Sequence, residues 1–210
     1  MKQLLFVLVA ITLFSCKDDS KVEEAVAKIP IEFKVERFDQ IFYQSKPEDL
    51  NKIKAQYPFF FPAGNPDSIW VNKLQNPLLK ELYKEVQMKY PTLGPVEADM
   101  EKMFAYVQYY FPKYKTPRVI TLISEVDTEA KAFYVDTLAL VSLDCYLGKD
   151  HRFYVDFPEY KKAELEENQI LPNLVSTFCY GKIAPPMDRT LLSAMIYYGK
   201  ELYVKDKLIP

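Results

Sequence analysis

The stretch PRVITLISEVDTEAKAFYVDTLALVSL, residues 117–143, carries the strand pattern from which the fold class is predicted. It holds three short runs, at 117–124, 132–135 and 138–143, that are rich in β-branched and aromatic residues. Runs of this composition and length predict strands. The turn GKD at 148–150 is followed by HRFYVDF at 151–157, which the same criteria predict to be a further strand. The stretch therefore predicts a central sheet, antiparallel or mixed.

Helical patterns lie on both sides of this sheet. Residues 31–37, IEFKVER, alternate between apolar and charged side chains and predict one more, half-buried strand before the helices. Ser45 and Glu48 have the spacing of a capping box, and Asp188 is placed to cap the last helix. Helical spacing and proline positions predict helices at 47–57, 77–90, 95–111, 158–168, 170–180 and 189–204. The predicted class is α+β, with helices grouped before and after a central antiparallel or mixed sheet.

The N-terminus has the pattern of a signal peptide, predicted over residues 1–15. Lys2 supplies a short positive region, and residues 4–14 carry no charge. Eleven residues of helix cover only about 16 Å, roughly half of a hydrocarbon core. We therefore expect this segment to direct export and not to span a membrane.

Cys16 follows Leu13-Phe14-Ser15, which resembles the bacterial lipobox. In that motif the cysteine thiol is acylated and the cysteine becomes the new N-terminus, so Cys16 is the predicted lipid attachment residue and the membrane a predicted partner. The alternative is a soluble exported protein in which Cys16 is removed or incidental.

Lys17, Asp18 and Asp19 resemble the signal that sends lipoproteins to the outer face of the outer membrane. The alternative is a solvated tether, because residues 17–28 are charged and lack aromatics. Residues 16–30 are thus predicted to be the lipidated cysteine and a flexible tether, and 31–210 a single α+β domain.

Composition excludes some classes of partner. The chain has 27 basic and 29 acidic residues, a net charge of −2, and its lysines form no basic stripe, so nucleic acid is not an expected partner. Its 16 tyrosines and 14 phenylalanines fit either a core or a surface that binds glycans or proteins.

The search for chemistry yields no catalytic constellation. His151 is the only histidine, so the two-histidine motif of a zinc peptidase cannot form, and a zinc site from His151, Cys145 and Cys179 matches no known ligand spacing. The chain lacks G-x-S-x-G and a Gly-rich phosphate loop. Asp136 and two other aspartates near strand ends, Asp144 and Asp156, could serve a glycosidase, but turn and cap chemistry is the alternative. No metal or cofactor is expected.

Cys145 and Cys179 both have apolar neighbours. Two buried free thiols are expected, because free cysteine is among the most buried residue types. A disulfide between them is the alternative that only geometry can decide.

Several segments, in order, resemble one family, the gliding motility lipoprotein GldB family of Bacteroidetes. Besides the acylated N-terminus they are VERFDQIFYQ (35–44), YPFFFP (57–62), YFPKYKTPRVITLIS (110–124), LVSLDCYLGKDHRFY (140–154) and DRTLLSAMIYYGKELYVKDKLIP (188–210). The resemblance implies an envelope lipoprotein required for gliding and associated with the machinery of type IX secretion, with other gliding and secretion envelope proteins as partners. It supplies no catalytic residue, so the chain is not expected to be an enzyme.

The resemblance of Lys17, Asp18 and Asp19 to an export signal favours anchoring at the outer membrane, and the inner membrane is the alternative. Family members continue past the end of this chain, so the domain at 31–210 is expected to be incomplete at its C-terminus. One alternative function is a surface lipoprotein that binds glycan or a partner. Another is a catalytically dead peptidase relative, because strands followed by TLLSAMIYYGKELY (190–203) resemble a degenerate zincin layout without its histidines.

Overall fold

A computed structural model describes residues 17–180 and 182–209. Its helices and strands are α1 (Lys17–Val26), β1 (Val35–Arg37), α2 (Phe38–Tyr43), α3 (Leu50–Gln56), α4 (Asp67–Gln75), α5 (Pro77–Lys89), α6 (Gly94–Tyr110), β2 (Arg118–Leu122), β3 (Ala132–Val135), β4 (Leu138–Ser142), α7 (Glu159–Lys162), α8 (Ile170–Cys179) and α9 (Leu191–Leu208). Short 3-10 helices lie at Pro47–Asp49, Pro58–Phe60, Leu143–Cys145, Arg152–Tyr154 and Glu167–Gln169.

The four strands form one mixed sheet in the order β1-β2-β4-β3. Strands β1, β2 and β4 run parallel, and β3 pairs antiparallel with β4 through a tight hairpin. The α+β class with a mixed central sheet is confirmed, and so are the three strands predicted within 117–143.

Helices cover both faces of the sheet. Val119 of β2 packs into a cluster with α5, α6 and α8. Ile120, the next residue, points to the opposite face and packs with α2, α3 and α4. Because β2 is central and buried on both faces, its sequence is a nearly continuous apolar run and not an alternating one.

Two predicted strands differ from the structure. In IEFKVER burial alternates only over residues 31–35, and only Val35–Arg37 forms a strand, since only these residues of the segment have partners in β2. The segment 151–157 is not a strand, and Arg152–Tyr154 is a 3-10 helix. The alternating pattern arises because Tyr154 is buried although it lies outside the sheet. Its hydroxyl donates to the Asp144 carbonyl at 2.6 Å and accepts from the Leu147 amide at 3.0 Å, so it stabilises the loop that follows β4.

The long helices α5, α6 and α8 agree with their predictions within a residue, whereas α2 and α4 were not predicted. The segment predicted as a helix at 158–168 is α-helical only over Glu159–Lys162.

Two helix caps differ from those predicted. The Ser45 hydroxyl donates to the Phe42 carbonyl at 2.7 Å, and Asp49 accepts from the Lys46 amide at 3.1 Å, so Ser45 and Glu48 form no capping box. Helix α9 is capped by Thr190, whose hydroxyl accepts from the Ser193 amide at 3.2 Å. Asp188 instead accepts from the Thr190 amide at 3.0 Å.

Residues 17–26, predicted to belong to a flexible tether, form helix α1 in the structure. Its residue Val26 is buried and α1 contacts α6, so apolar burial compensates for a composition that is otherwise typical of a linker. The signal peptide and Cys16 lie outside the described residues.

Candidate functional site

The carboxyl ends of β1, β2 and β4 meet at one edge of the sheet, because these strands are parallel. In sheets of this kind, binding and catalytic groups commonly lie beyond the carboxyl ends of the strands. The buried polar side chains lie at or next to this edge. They are Asp39, Thr121, Ser142 and Asp144. This edge of the sheet is therefore the candidate location of a binding or catalytic site.

Asp39, in the first turn of α2, is the centre of a buried polar group that we call the strand-end cluster: Arg37, Asp39, Gln87 and Thr121. The Arg37 guanidinium donates to both Asp39 oxygens, with Nε at 3.0 Å from Oδ1 and Nη2 at 2.8 Å from Oδ2. The Thr121 hydroxyl donates to Oδ1 at 2.6 Å, and the Gln87 amide donates to Oδ2 at 3.0 Å.

The strand-end cluster joins four elements and presents no free group. Asp39 is fully buried and each of its oxygens has two donors, so neither oxygen has room for a ligand. Arg37 also donates to the Tyr90 carbonyl at 3.2 Å, at the end of α5. The cluster therefore ties β1, α2, β2 and α5 together, and the sequence pattern did not predict it.

Asp144, predicted as a candidate site residue, lies just beyond β4 and is fully buried. Its carboxylate accepts from the Ser124 amide at 2.9 Å and the Val126 amide at 2.6 Å. In the same loop, Glu125 and Val126 have positive φ angles of 66° and 59°. Residues other than glycine rarely adopt this left-handed conformation, so the backbone is strained here. Asp144 thus holds a strained loop in place.

Burial raises the pKa of Asp144 to about 6, and the amide hydrogen bonds from Ser124 and Val126 act against that increase. A raised carboxyl pKa is a feature of many general acids. Here the carboxyl is sealed from solvent, so the geometry assigns it to the loop and not to a substrate.

Cys145 and Cys179 are both buried and free, as expected, and they form no disulfide. The Cys145 thiol donates to the Asp127 carbonyl at 3.5 Å, and burial raises its pKa far above the usual range. Burial also raises the pKa of Cys179 to about 11. Both thiols stay protonated at neutral pH, so neither is an activated nucleophile.

His151 caps the 3-10 helix Arg152–Tyr154. Its Nδ1 lies 3.4 Å from the Phe153 amide nitrogen, which donates to it, and its Nε2 lies 3.4 Å from an oxygen of Glu85. Glu85 also accepts from Arg152 at 2.7 Å, and this hydrogen bond is the main cause that lowers the pKa of Glu85. Both nitrogens of His151 therefore have structural partners.

The other predicted aspartates do not join Asp144. Asp136 is exposed in the β3–β4 hairpin, at the opposite end of β4, which is about 17 Å away for five residues of strand. A glycosidase pair needs two carboxyl groups within roughly 10 Å. Asp156 is exposed, whereas Asp144 is sealed.

A zinc site from His151, Cys145 and Cys179 was the remaining metal candidate from the sequence. Across residues 17–180 and 182–209, no group of three or more histidine, cysteine, aspartate or glutamate side chains is arranged to hold a metal ion.

The predicted anchor region is only partly described. Lys17, Asp18 and Asp19 form the first turn of α1, and Cys16 immediately precedes them. None of the helices described is both long enough and apolar enough to cross a bilayer.

Three members of the strand-end cluster, Arg37, Gln87 and Thr121, gave no signal in the sequence, because each is an ordinary polar residue within its own element. Asp39 gave a weak one, since it is an acidic residue inside the apolar run FDQIFY at 38–43.

A lipoprotein family model described as gliding motility protein GldB matches residues 19–210. No curated protein and no solved structure matches the chain significantly.

Proposed function

The chain belongs to the GldB family of gliding motility proteins, and we propose that it serves gliding as a lipid-anchored, non-catalytic component of the cell envelope. The observation that carries this proposal is the family match, which extends over residues 19–210 and so includes every strand and helix of the domain. The lipid anchor, the non-catalytic role and the association with type IX secretion go beyond the family match.

The anchor is supported by the sequence before α1. Cys16 ends a lipobox-like stretch that follows an apolar segment too short to span a bilayer. Each buried CH₂ of an acyl chain contributes roughly 0.8 kcal/mol, so two or more chains on Cys16 hold a protein on a membrane durably.

The non-catalytic role is supported by what the candidate groups do. Asp39 and Asp144 are buried and hydrogen-bonded within the domain, Cys145 is a protonated thiol, and His151 is held by Glu85 and Phe153. A direct test is to purify the protein, measure its zinc content, and assay hydrolysis of peptides and glycans. Zinc in stoichiometric amount, or turnover that Asp144→Asn abolishes, would contradict a non-catalytic role.

The role in gliding is tested by deletion of the gene in the native gliding bacterium and its restoration on a plasmid. We expect deletion to abolish colony spreading and secretion of a type IX cargo, and the wild-type gene to restore both. Asp144→Asn, present at the wild-type level, should restore them as well. Spreading that persists after deletion would refute the role in gliding.

The anchor has its own test. Cys16→Ala should abolish labelling by radioactive palmitate and release the protein from membranes, and the variant should fail to restore spreading. Cys179→Ala is the matched control, because it removes a buried thiol elsewhere in the chain and should leave labelling intact. Labelling that survives Cys16→Ala would place the acyl group on another residue.

We further propose that Lys17, Asp18 and Asp19 direct the protein to the outer face of the outer membrane. Replacing all three with alanine should protect the protein from protease added to intact cells. A matched control replaces Lys21, Glu23 and Glu24, which carry the same charges on exposed positions of the same helix. Equal protease sensitivity in both variants would leave the first three residues without an export role.

A further inference from the structure

Helix α9 exposes an unusual number of large apolar side chains. Seven of them, which we call the α9 face, are between 50% and 77% exposed: Leu191, Leu192, Met195, Ile196, Tyr198, Leu202 and Tyr203. Soluble proteins rarely expose contiguous apolar patches of this size, and such patches mark sites of interaction with proteins or membranes.

Helix α9 carries apolar side chains on its outward side as well as on the side that faces the domain. At about 100° per residue, the α9 face occupies an arc of roughly 160° that also contains Gly199 and carries no charge until Asp206. The side turned toward α6 and α8 includes Val204 and Leu208, which pack into the core, with Ser193, Ala194 and Glu201 partly buried beside them. An amphipathic helix normally turns its apolar side to the core, so the packing of the domain does not account for the α9 face.

We propose that the α9 face lies on a lipid bilayer and seats the domain on the membrane that holds its acyl anchor. The proposal rests on the proposed function, because it takes the anchor at Cys16 as given. Helices that lie in a membrane interface have this pattern, with a broad apolar face and basic residues beside it.

The first argument is the position of α9 relative to the anchor. Val22 of α1, Tyr106 of α6 and Lys207 of α9 line one cleft of about 260 Å³, so the C-terminal end of α9 lies beside α1. From Cys16 to Val22 the chain extends only about 11 Å, one Cα step and five residues of helix. With α1 docked on α6, acyl chains on Cys16 would hold α9 close to the bilayer.

The second argument is charge. Arg189 and Lys200 flank the α9 face, and neither forms an ion pair with any residue that the structure describes. Lys182 borders a groove of about 530 Å³ whose other wall is formed by Ile196, Lys200 and other residues of α9. The Lys182 ammonium lies over the Phe178 ring, 4.3 Å from its centre, whereas Arg189 and Lys200 lack an acidic partner among the described residues and match the phosphates of lipid head groups.

The width of the arc also argues against a second copy of the chain. Two helices that pair through a coiled-coil seam cover a narrow apolar stripe, and an arc of roughly 160° would stay partly in water. A bilayer covers the full width of such a face. The tyrosines Tyr198 and Tyr203 suit the interface between lipid tails and water.

The test measures the depth of a fluorescent probe in the full, acylated protein. The single tryptophan, Trp70, is replaced by phenylalanine, and a new one is introduced by Met195→Trp on the α9 face. The matched control is Met88→Trp, because Met88 is 69% exposed on α5. Each protein is reconstituted into vesicles of phosphatidylethanolamine and phosphatidylglycerol with brominated acyl chains, which quench tryptophan at close range.

We expect loss of fluorescence and a blue shift at position 195 and neither change at position 88. Equal fluorescence at both positions in vesicle-bound protein would overturn the membrane seat while leaving the anchor intact. Protein that does not remain with the vesicles would instead count against the proposed anchor. A probe at 195 that shifts without quenching, together with a dimer mass by light scattering, would assign the α9 face to a second copy.

Discussion

Helices α6 and α9 have similar lengths and opposite surroundings. Helix α6 buries six residues, among them Met100 and Met103, at 1% and 0% exposure. Helix α9 is one residue longer but buries only Leu208, while Met195 is 62% exposed. The buried apolar residues of α6 therefore stabilise the fold, whereas the exposed apolar residues of α9 are available for a contact outside it.

The largest expected effect on stability comes from replacing one methionine with alanine on each of the two helices. Met103→Ala should lower the free energy of unfolding by about 3–4 kcal/mol, because it leaves a cavity in the core of α6. Met195→Ala should change it by less than about 0.5 kcal/mol, since the side chain makes little contact with the domain. Urea denaturation of both variants measures the difference, and equal losses would refute the contrast between the helices.

The interior also depends on buried polar groups. Asp39→Ala should cost about 3 kcal/mol, because it leaves the Arg37 guanidinium and the Thr121 hydroxyl without their shared acceptor. Asp99→Ala on the exposed side of α6 is the control and should cost less than about 0.5 kcal/mol. If Asp39→Ala behaved like its control in urea denaturation, the strand-end cluster would not join β1, α2, β2 and α5.

The sequence predicted β2, β3 and β4 because their β-branched runs are local signals that tertiary packing reinforces. It did not predict the strand-end cluster, because Asp39 finds its partners 48 and 82 residues away in the chain. The strand expected at 151–157 was wrong for a related reason. Tyr154 is buried by bonds to Asp144 and Leu147, which a short alternating pattern cannot distinguish from strand pairing.

The structure of the predicted anchor region also depends on contacts with residues that are distant in the chain. The composition of residues 17–28 is that of a linker, and only the contact with α6 makes 17–26 a helix. The exposure of α9 was equally hidden, since its apolar residues share a helical face in the sequence whether that face is buried or not.

Asp144 should make a smaller, pH-dependent contribution to the free energy of unfolding. Its pKa is raised to about 6 in the folded chain, above the ordinary aspartate value of 3.8, so the folded state binds more protons than the unfolded state between these two pH values. Its contribution to stability is therefore fully present below about pH 4 and is lost as the pH rises through about 6. Wild type should lose on the order of 1–3 kcal/mol across this range relative to Asp144→Asn.

Urea denaturation of wild type and Asp144→Asn at several pH values measures this difference. The control is Asp136→Asn in the exposed β3–β4 hairpin, which should follow the wild-type pH profile. If Asp144→Asn also followed the wild-type profile, Asp144 would not be the group that titrates on unfolding.

The smallest effect on stability is expected for a charge placed on the α9 face, and this change tests directly whether that face has a role outside the fold. Leu192→Glu places a charge on the α9 face, where the side chain is 67% exposed, so unfolding should change by less than about 0.5 kcal/mol. A carboxylate facing lipid is unfavourable, so the variant should restore colony spreading poorly in the deletion strain although it is acylated and present at the wild-type level. Met88→Glu introduces the same charge on exposed α5 and should restore spreading fully. If both variants restored spreading equally, the exposed apolar residues of α9 would have no role in gliding, and the contrast with α6 would be one of packing alone.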